Sequence, residues 1–238
     1  MDATRLMDVC DATWPAARSW DAGRWRLRDG QGGGKRVSSA TTQHATPADI
    51  ESAEDAMRGM GQRPLFRLLS DQTALDGALA QRGYAKLDPT HVRAAHISAL
   101  TDRPIPPVTA FSIWEPLAIM TEIWRDAGFA PGRHAVMHRA KVKTGILSRW
   151  NEKPAGAAFA AVHDGVCMVH ALEVMPHQRR QGVAAWMMRK AAFWGAEQGA
   201  AHIAVLVTEA NTGANALYDA LGLARLGGYH YRQHPEDT

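Results

Sequence analysis

The sequence predicts an α/β (α+β) fold built on a mixed, mainly antiparallel sheet with flanking helices. Three observations carry this. Strand-patterned and helix-patterned runs alternate along the 238 residues, and in the second half they follow the order of a β-meander and then β-α-β-α-β. Asp164-Gly165, between two apolar runs, is a hairpin signal, so part of the sheet is antiparallel. Hydrophobic residues make up 46% and charged residues 21% of the chain, enough to bury a real core and too apolar for a disordered one.

The elements of the first half are expected as follows. A helix runs over Ala3 to Trp14. Trp25 and Leu27 alternate with Arg24, Arg26 and Arg28, which is strand patterning; Gly30 to Gly34 then turn the chain, and Lys35 to Ala40 forms the return strand. Thr46-Pro47 opens a helix through Met57, with Thr46 as its cap and Pro47 at its first position. Pro64 to Ser70 is a strand. A short helix then ends at Gly83, and a strand follows near Ala85 to Leu87.

The segment from Ser98 to Val108 is the clearest boundary, because Pro104, Pro106 and Pro107 stop a helix and favour extended chain. It divides the sequence into an N-terminal domain (1–100), a proline-rich linker (101–107) and a catalytic domain (108–238). The second half opens with a strand near Thr109 to Ile113. Glu115 to Ala127 is helical, with Leu117, Met120, Ile123 and Trp124 on one face. Three strands follow in KTGILSRW, PAGAAFAAVH and VCMVHALEVM. A long helix runs from about Gly182 to Gln198 and stops at Gly199, HIAVLVT is a buried strand, Thr212 to Leu221 is a helix stopped by Gly222, and Gly228 to Gln233 is a last strand.

Several function classes are disfavoured. No apolar run approaches the roughly 18 residues of a membrane span, and the first 20 residues lack the apolar stretch of a signal peptide. Cys10 and Cys167 cannot make a disulfide framework or a four-cysteine zinc site; a reducing cytoplasm and no metal are expected. The net charge of +3 permits an anionic ligand but does not argue for nucleic acid. GQGGGKR (Gly30 to Arg36) tempts towards a phosphate-binding P-loop, but Asp29 and Arg36 stand where that pattern needs Gly and Ser or Thr, so a flexible hairpin is expected. His134 and His138, and His230 and His234, are four apart but lack the acidic neighbours of a zinc site. The eight tryptophans are scattered among apolar neighbours and read as core.

The chemistry lies in LEVMPHQRRQGVAAWMMRKAAFWGAEQG. An apolar strand, Ala171 to Met175, meets Pro176, a short loop and a helix. Arg179 and Arg180 precede the first helical turn, where the helix dipole already places positive charge. Two arginines there make sense beside an anion, and Gly182 lets it approach the backbone N–H groups. A solvated basic loop is the plain alternative. Asn211, Asn215 and Tyr218 are spaced to share a helix face. Glu173 is a carboxylate in an apolar strand, costly unless useful or paired, and a salt bridge to an arginine is its competing explanation.

These segments together resemble the GCN5-related N-acetyltransferases. Arg179-Arg180-Gln181-Gly182-Val183-Ala184 is similar to the family's pyrophosphate loop R/Q-x-x-G-x-G/A, and Leu172-Glu173-Val174-Met175-Pro176 to its central strand. Asn211 to Tyr218 followed by Leu221-Gly222-Leu223 looks like its N-x-x-A-x-x-L-Y-x-x-L-G-F signature, with Leu223 in place of Phe. The likeness covers roughly Val108 to Tyr231. It leaves the first half uncovered, and that half could be a degenerate copy of the same fold without a cofactor loop.

The resemblance implies an acyl-CoA N-acyltransferase fold and transfer of acetyl from acetyl-CoA to a primary amine. It implies that the strand ending at Met175 splays from Ile203–Val207. Leu172 and Val174 would then pair with the pantetheine amides, and Gln181, Gly182, Val183 and Ala184, helped by Arg179 and Arg180, would hold the pyrophosphate. Tyr218 would be the acid for the leaving thiolate, with packing on the sheet as its plain alternative. Asn211 would contact the cofactor, act as a helix cap, or both. Glu173 would be the base, with Glu115, His170, Glu209 or a water as weaker candidates. The alternative function is a non-catalytic acyl-CoA-binding regulatory or interaction module. The acceptor is unspecified, its pocket being placed in Trp114 to Arg133 and the first half; no nucleic-acid or membrane partner is expected, and a homodimer is compatible with the sequence. A chain starting near Thr101 is expected to keep CoA binding.

Overall fold

In the computed structural model, which describes residues 1–235, the first half comprises helix α1 (Ala3–Thr13), strands β1 (Arg18–Ala22) and β2 (Trp25–Asp29), helix α2 (Ile50–Gly59), strand β3 (Leu65–Leu69), helix α3 (Thr73–Gln81) and strand β4 (Ala85–His96). The second half comprises β5 (Ala110–Ile113), α4 (Ala118–Asp126), α5 (Gly132–Arg139), β6 (Val142–Trp150), β7 (Lys153–His163), β8 (Val166–Val174), α6 (Val183–Glu197), β9 (His202–Thr208), α7 (Thr212–Ala220) and β10 (Ala224–Gln233). Side-chain caps start several helices: the Asp2 carboxylate accepts the Arg5 N–H at 2.9 Å. Thr46 and Asp49 form a capping box at the entry to α2, which satisfies donors the helix itself leaves free.

Eight strands form one sheet in the order β3-β10-β4-β9-β8-β7-β6-β5, and β1-β2 is a separate ribbon. β8 and β9 are parallel, and the other neighbours in the large sheet are antiparallel. The mixed, mainly antiparallel sheet with flanking helices is therefore the observed fold. Residues 101–107 are an irregular connection, but the sheet continues across them: β4 of the first half lies between β9 and β10 of the second, pairing from Thr90↔Thr208 to His96↔His202 on one edge and from Ala224↔Ala94 to Gln233↔Ala85 on the other. The linker is also anchored, because Arg189 on α6 pairs with Asp102 and donates to the Leu100 carbonyl at 3.2 Å.

Two expected elements of the first half are corrected. The partner of β2 is β1, through the tight turn at Gly23, whose φ is +60°. Lys35–Val37 is a short 3-10 turn, and Ala40 and Thr41 make only isolated bridges, to Phe66 and Arg26. β1 was hidden because RSWDA is five residues long and mostly exposed, too short for alternation to show. The glycines before Lys35 serve close packing: a Cβ on Gly33 would lie 2.5 Å from Val136, and one on Gly132 would lie 2.6 Å from the Gly32 backbone. The glycine-rich loop thus lies flush on α5, a helix whose weak apolar face gave no sequence signal.

Successive residues of β8 serve opposite faces. Cys167 and Val169 pack with Met187, Met188 and Ala191 of α6, while Val166 and Met168 pack with Leu6, Val9 and Cys10 of α1. Each such fully buried side chain contributes about 1.5–3 kcal/mol. A Cβ on Gly195 would lie 2.6 Å from that of Cys167, so α6 sits at contact distance from the strand. Trp14, Val37, Trp124 and Val136 extend the α1 side with Leu147 and Phe159.

Candidate active site

β8 and β9 pair only from Val166↔His202 to Val169↔Val205; beyond that point both strands continue and diverge. The cause is local. Between Phe159↔His170 and Ala157↔Glu173 the strand β8 sets two residues, Ala171 and Leu172, against one of β7, Ala158, and Ala171 takes a φ of +52°. This is a β-bulge, which bends its strand. The Trp124 indole N–H donates to the Ala171 carbonyl at 2.8 Å and fixes it. The divergence opens a cavity of about 850 Å³. Leu172, Glu173, Val174, Arg179, Arg180, Gly182, Val183, Ala184, Asn211 and Tyr218 all line it, while Gln181 does not.

At one end lies the start of α6. Gly182 is left-handed, with φ +78°, and the preceding Arg180 has φ +65°. The helix has no side-chain cap and no acidic residue in its first turn. Its first N–H groups are therefore open donors beside two exposed arginines, an arrangement suited to a phosphate. Nothing lies within 4 Å of where a Gly182 Cβ would be, so the approach to the backbone is clear. Arg179 Nε donates to the Val174 carbonyl at 3.1 Å, so that carbonyl already has one partner.

Tyr218 is buried on α7, and its hydroxyl makes no hydrogen bond among the described residues. Burial pushes its pKa up to about 12, with the nearby Glu173 charge adding to the effect. The phenol therefore keeps its proton across the neutral range. Glu173 is half-buried and makes no ion pair among the described residues; burial raises its pKa, opposed by Arg179 and Arg133. Asn211 is the α7 cap, its side chain accepting the Ala214 N–H at 3.1 Å. Asn215 is a strut instead, donating to the Thr208 and Asn211 carbonyls at 3.0 and 2.9 Å. Glu115 and Glu209 are exposed and do not line the cavity.

The wall on the α1 side draws on the stretch from Trp114 to Arg133 and on the first half, without the sequence having named Arg36 or Phe129 for it. Phe129 and Arg133 line it from the second half and Arg36 from the first. Buried His170 accepts at Nδ1 from the Arg36 guanidinium at 3.0 Å, and its Nε2 lies 2.9 Å from Thr13 Oγ1. Thr13 donates to the Val9 carbonyl at 2.7 Å, which leaves Nε2–H as the donor to its oxygen. Burial and Arg36 hold the imidazole pKa well below its ordinary value, so His170 is neutral, with both nitrogens engaged. Among the described residues no helix is long and apolar enough to cross a membrane, and no group of three or more His, Cys, Asp or Glu side chains could hold a metal ion.

With this geometry in view, residues 112–223 match the Acetyltransferase (GNAT) family. A Bacillus subtilis (strain 168) protein named "Uncharacterized N-acetyltransferase YobR" is 25% identical over 97% of this chain and 98% of its own length. Among solved structures, a GCN5-related N-acetyltransferase from Kribbella flavida superposes with a TM-score of 0.74 over 98% of this chain and 95% of that one, at 20% identity. A functionally unknown conserved protein from Staphylococcus epidermidis ATCC 12228 does so with a TM-score of 0.72 over 96% and 99%, at 13% identity. These likenesses span the first half as well as the second, so the interleaved sheet is a shared architecture.

Proposed function

We infer from the match of residues 112–223 to the Acetyltransferase (GNAT) family that the chain is an acetyltransferase of that family, and we propose that it moves an acetyl group from acetyl-CoA to a primary amine by direct transfer. The observation that carries this reading is the sharing of one cavity by an unpaired half-buried Glu173, a buried Tyr218 hydroxyl and an uncapped helix start. The N–H groups of Gly182 to Ala184, with Arg179 and Arg180, would hold the pyrophosphate, Gln181 lying outside the cavity lining. The unpaired edge of β8 at Leu172 and Val174 would take the pantetheine amides as a strand takes an edge. When bound, acetyl-CoA supplies an activated thioester.

The protein's own groups move the protons. Glu173, ionised but destabilised by burial, takes the proton of the attacking amine. Tyr218 holds a proton at its Oη and gives it to the departing sulfur; its raised pKa keeps that proton in place between turnovers. A cytoplasmic setting belongs to the same proposal, supported by two buried, unpaired cysteines, Cys10 and Cys167.

Thermal denaturation with and without acetyl-CoA, together with thiol release on adding amines, tests this reading. Wild type should gain about 3–4 kcal/mol at concentrations 100–1,000 times Kd, and Gly182→Glu, which sets a carboxylate at the loop, should gain nothing. An equal gain in the variant would remove the loop assignment. Binding without thiol release for any amine would favour a non-catalytic acyl-CoA-binding module.

A further inference from the structure

The cavity has two sides. Val183 and Tyr218 belong to the core on the α6 face, whereas Val37 and Val136, the neighbours of Arg36 and Arg133, belong to the core on the α1 and α4 face. The phosphate-suited loop opens on the first side, so the second is left for the acceptor. Arg36 and Arg133 both line that side, and neither forms an ion pair among the described residues. Arg36 spends a donor on neutral His170, and its guanidinium lies 5.1 Å from the Trp14 ring centre. The Arg133 guanidinium lies 4.5 Å from that of Phe129. Each charge is thus braced by an aromatic ring, and neither has a carboxylate within 4 Å among the described residues.

Two unpaired guanidiniums facing one cavity repel each other, and Arg133 feels both its burial and the Arg36 charge. Such an arrangement is costly unless an anion completes it. Glu173 lines the same cavity as both arginines and Tyr218, and its charge is felt by Arg133 and by Tyr218. We propose that the acceptor amine carries a carboxylate, gripped by Arg36 and Arg133, while its amino group meets Glu173. Planar guanidiniums pair with carboxylates through parallel hydrogen bonds, and the neutral His170, backed by Thr13, holds Arg36 in position. The inference rests on the acetyl-transfer reading and names its substrate class.

The test compares matched acceptors: α-amino acids, ω-amino acids and dipeptides against their carboxamides and decarboxylated amines. Each is measured by thiol release with acetyl-CoA and by calorimetric binding in the presence of CoA. Carboxylate-bearing members should bind and react, with the carboxamides reduced about 10- to 100-fold in kcat/KM. Arg36→Gln and Arg133→Gln should abolish that preference, mainly through KM, while the thermal shift caused by CoA stays at the wild-type size. If a variant does not fold, the acid-against-amide comparison on wild type decides alone. Equal handling of acids and amides, or no binding by any member, overturns the proposal. Selective binding of carboxylates without turnover supports the anion grip and overturns the acetyl-transfer reading instead.

Discussion

The guanidinium of Arg36 donates to Nδ1 of His170 at 3.0 Å, joining the glycine-rich loop of the first half to the central strand of the second. The same imidazole reaches Thr13 on α1. Three segments far apart in the chain are thereby fixed around one wall of the cavity.

Thr13→Val should uncouple this chain with little change in shape. It leaves the buried Nε2–H of His170 without its acceptor, at a cost of about 1–3 kcal/mol. Urea denaturation measures the loss, and KM for the acceptor should rise as Arg36 loosens. A variant as stable as wild type would show that the His170 proton sits elsewhere.

Removing residues 1–100 should prevent folding. The shortened chain loses β3 and β4, so β10 has no neighbour in the sheet and β9 becomes an exposed edge. Far-ultraviolet dichroism and a denaturant titration on residues 101–238 should show no cooperative transition. A folded, CoA-binding fragment would contradict the interleaving and restore the second half as an independent unit.

Much of the second half was legible because its segments combine long apolar runs with sharp punctuation: Asp164-Gly165 makes the β7–β8 turn, and Gly182 and Gly199 bracket α6. Most cavity residues of that half lie between Val169 and Ala185 and between Leu206 and Tyr218, stretches that the family resemblance brought together, while Phe129 and Arg133 lie outside them. Arg36 and His170 are 134 positions apart, and no local pattern reports a hydrogen bond at that range. Gly33 and Gly132 look like loop residues in sequence and prove to be a packing seam. The place of β4 inside the second half's sheet was equally hidden, because strand patterning specifies a pleated segment and not its neighbours.

Glu173→Gln should lower kcat by about 10²–10⁴. Burial raises the pKa of Glu173 above its ordinary 4.5, and a base works only when ionised. The wild-type rate should therefore climb with pH through a limb lying above 4.5, and the variant should lose that limb. The deficit should shrink at high pH, where the amine loses its proton unaided. A pH–rate profile with the limb retained would move the base to water.

The central claim, that this cavity performs acid-assisted acetyl transfer, is tested most directly by Tyr218→Phe. The change keeps the ring and deletes one hydroxyl, which makes no hydrogen bond within the described residues, so packing and stability should be nearly unchanged. Steady-state kinetics with acetyl-CoA and an amine acceptor, alongside a separate measurement of CoA affinity, should give kcat lowered about 10²–10⁴-fold at unaltered Kd. Full activity in Tyr218→Phe would contradict the account and leave the hydroxyl a packing feature of α7.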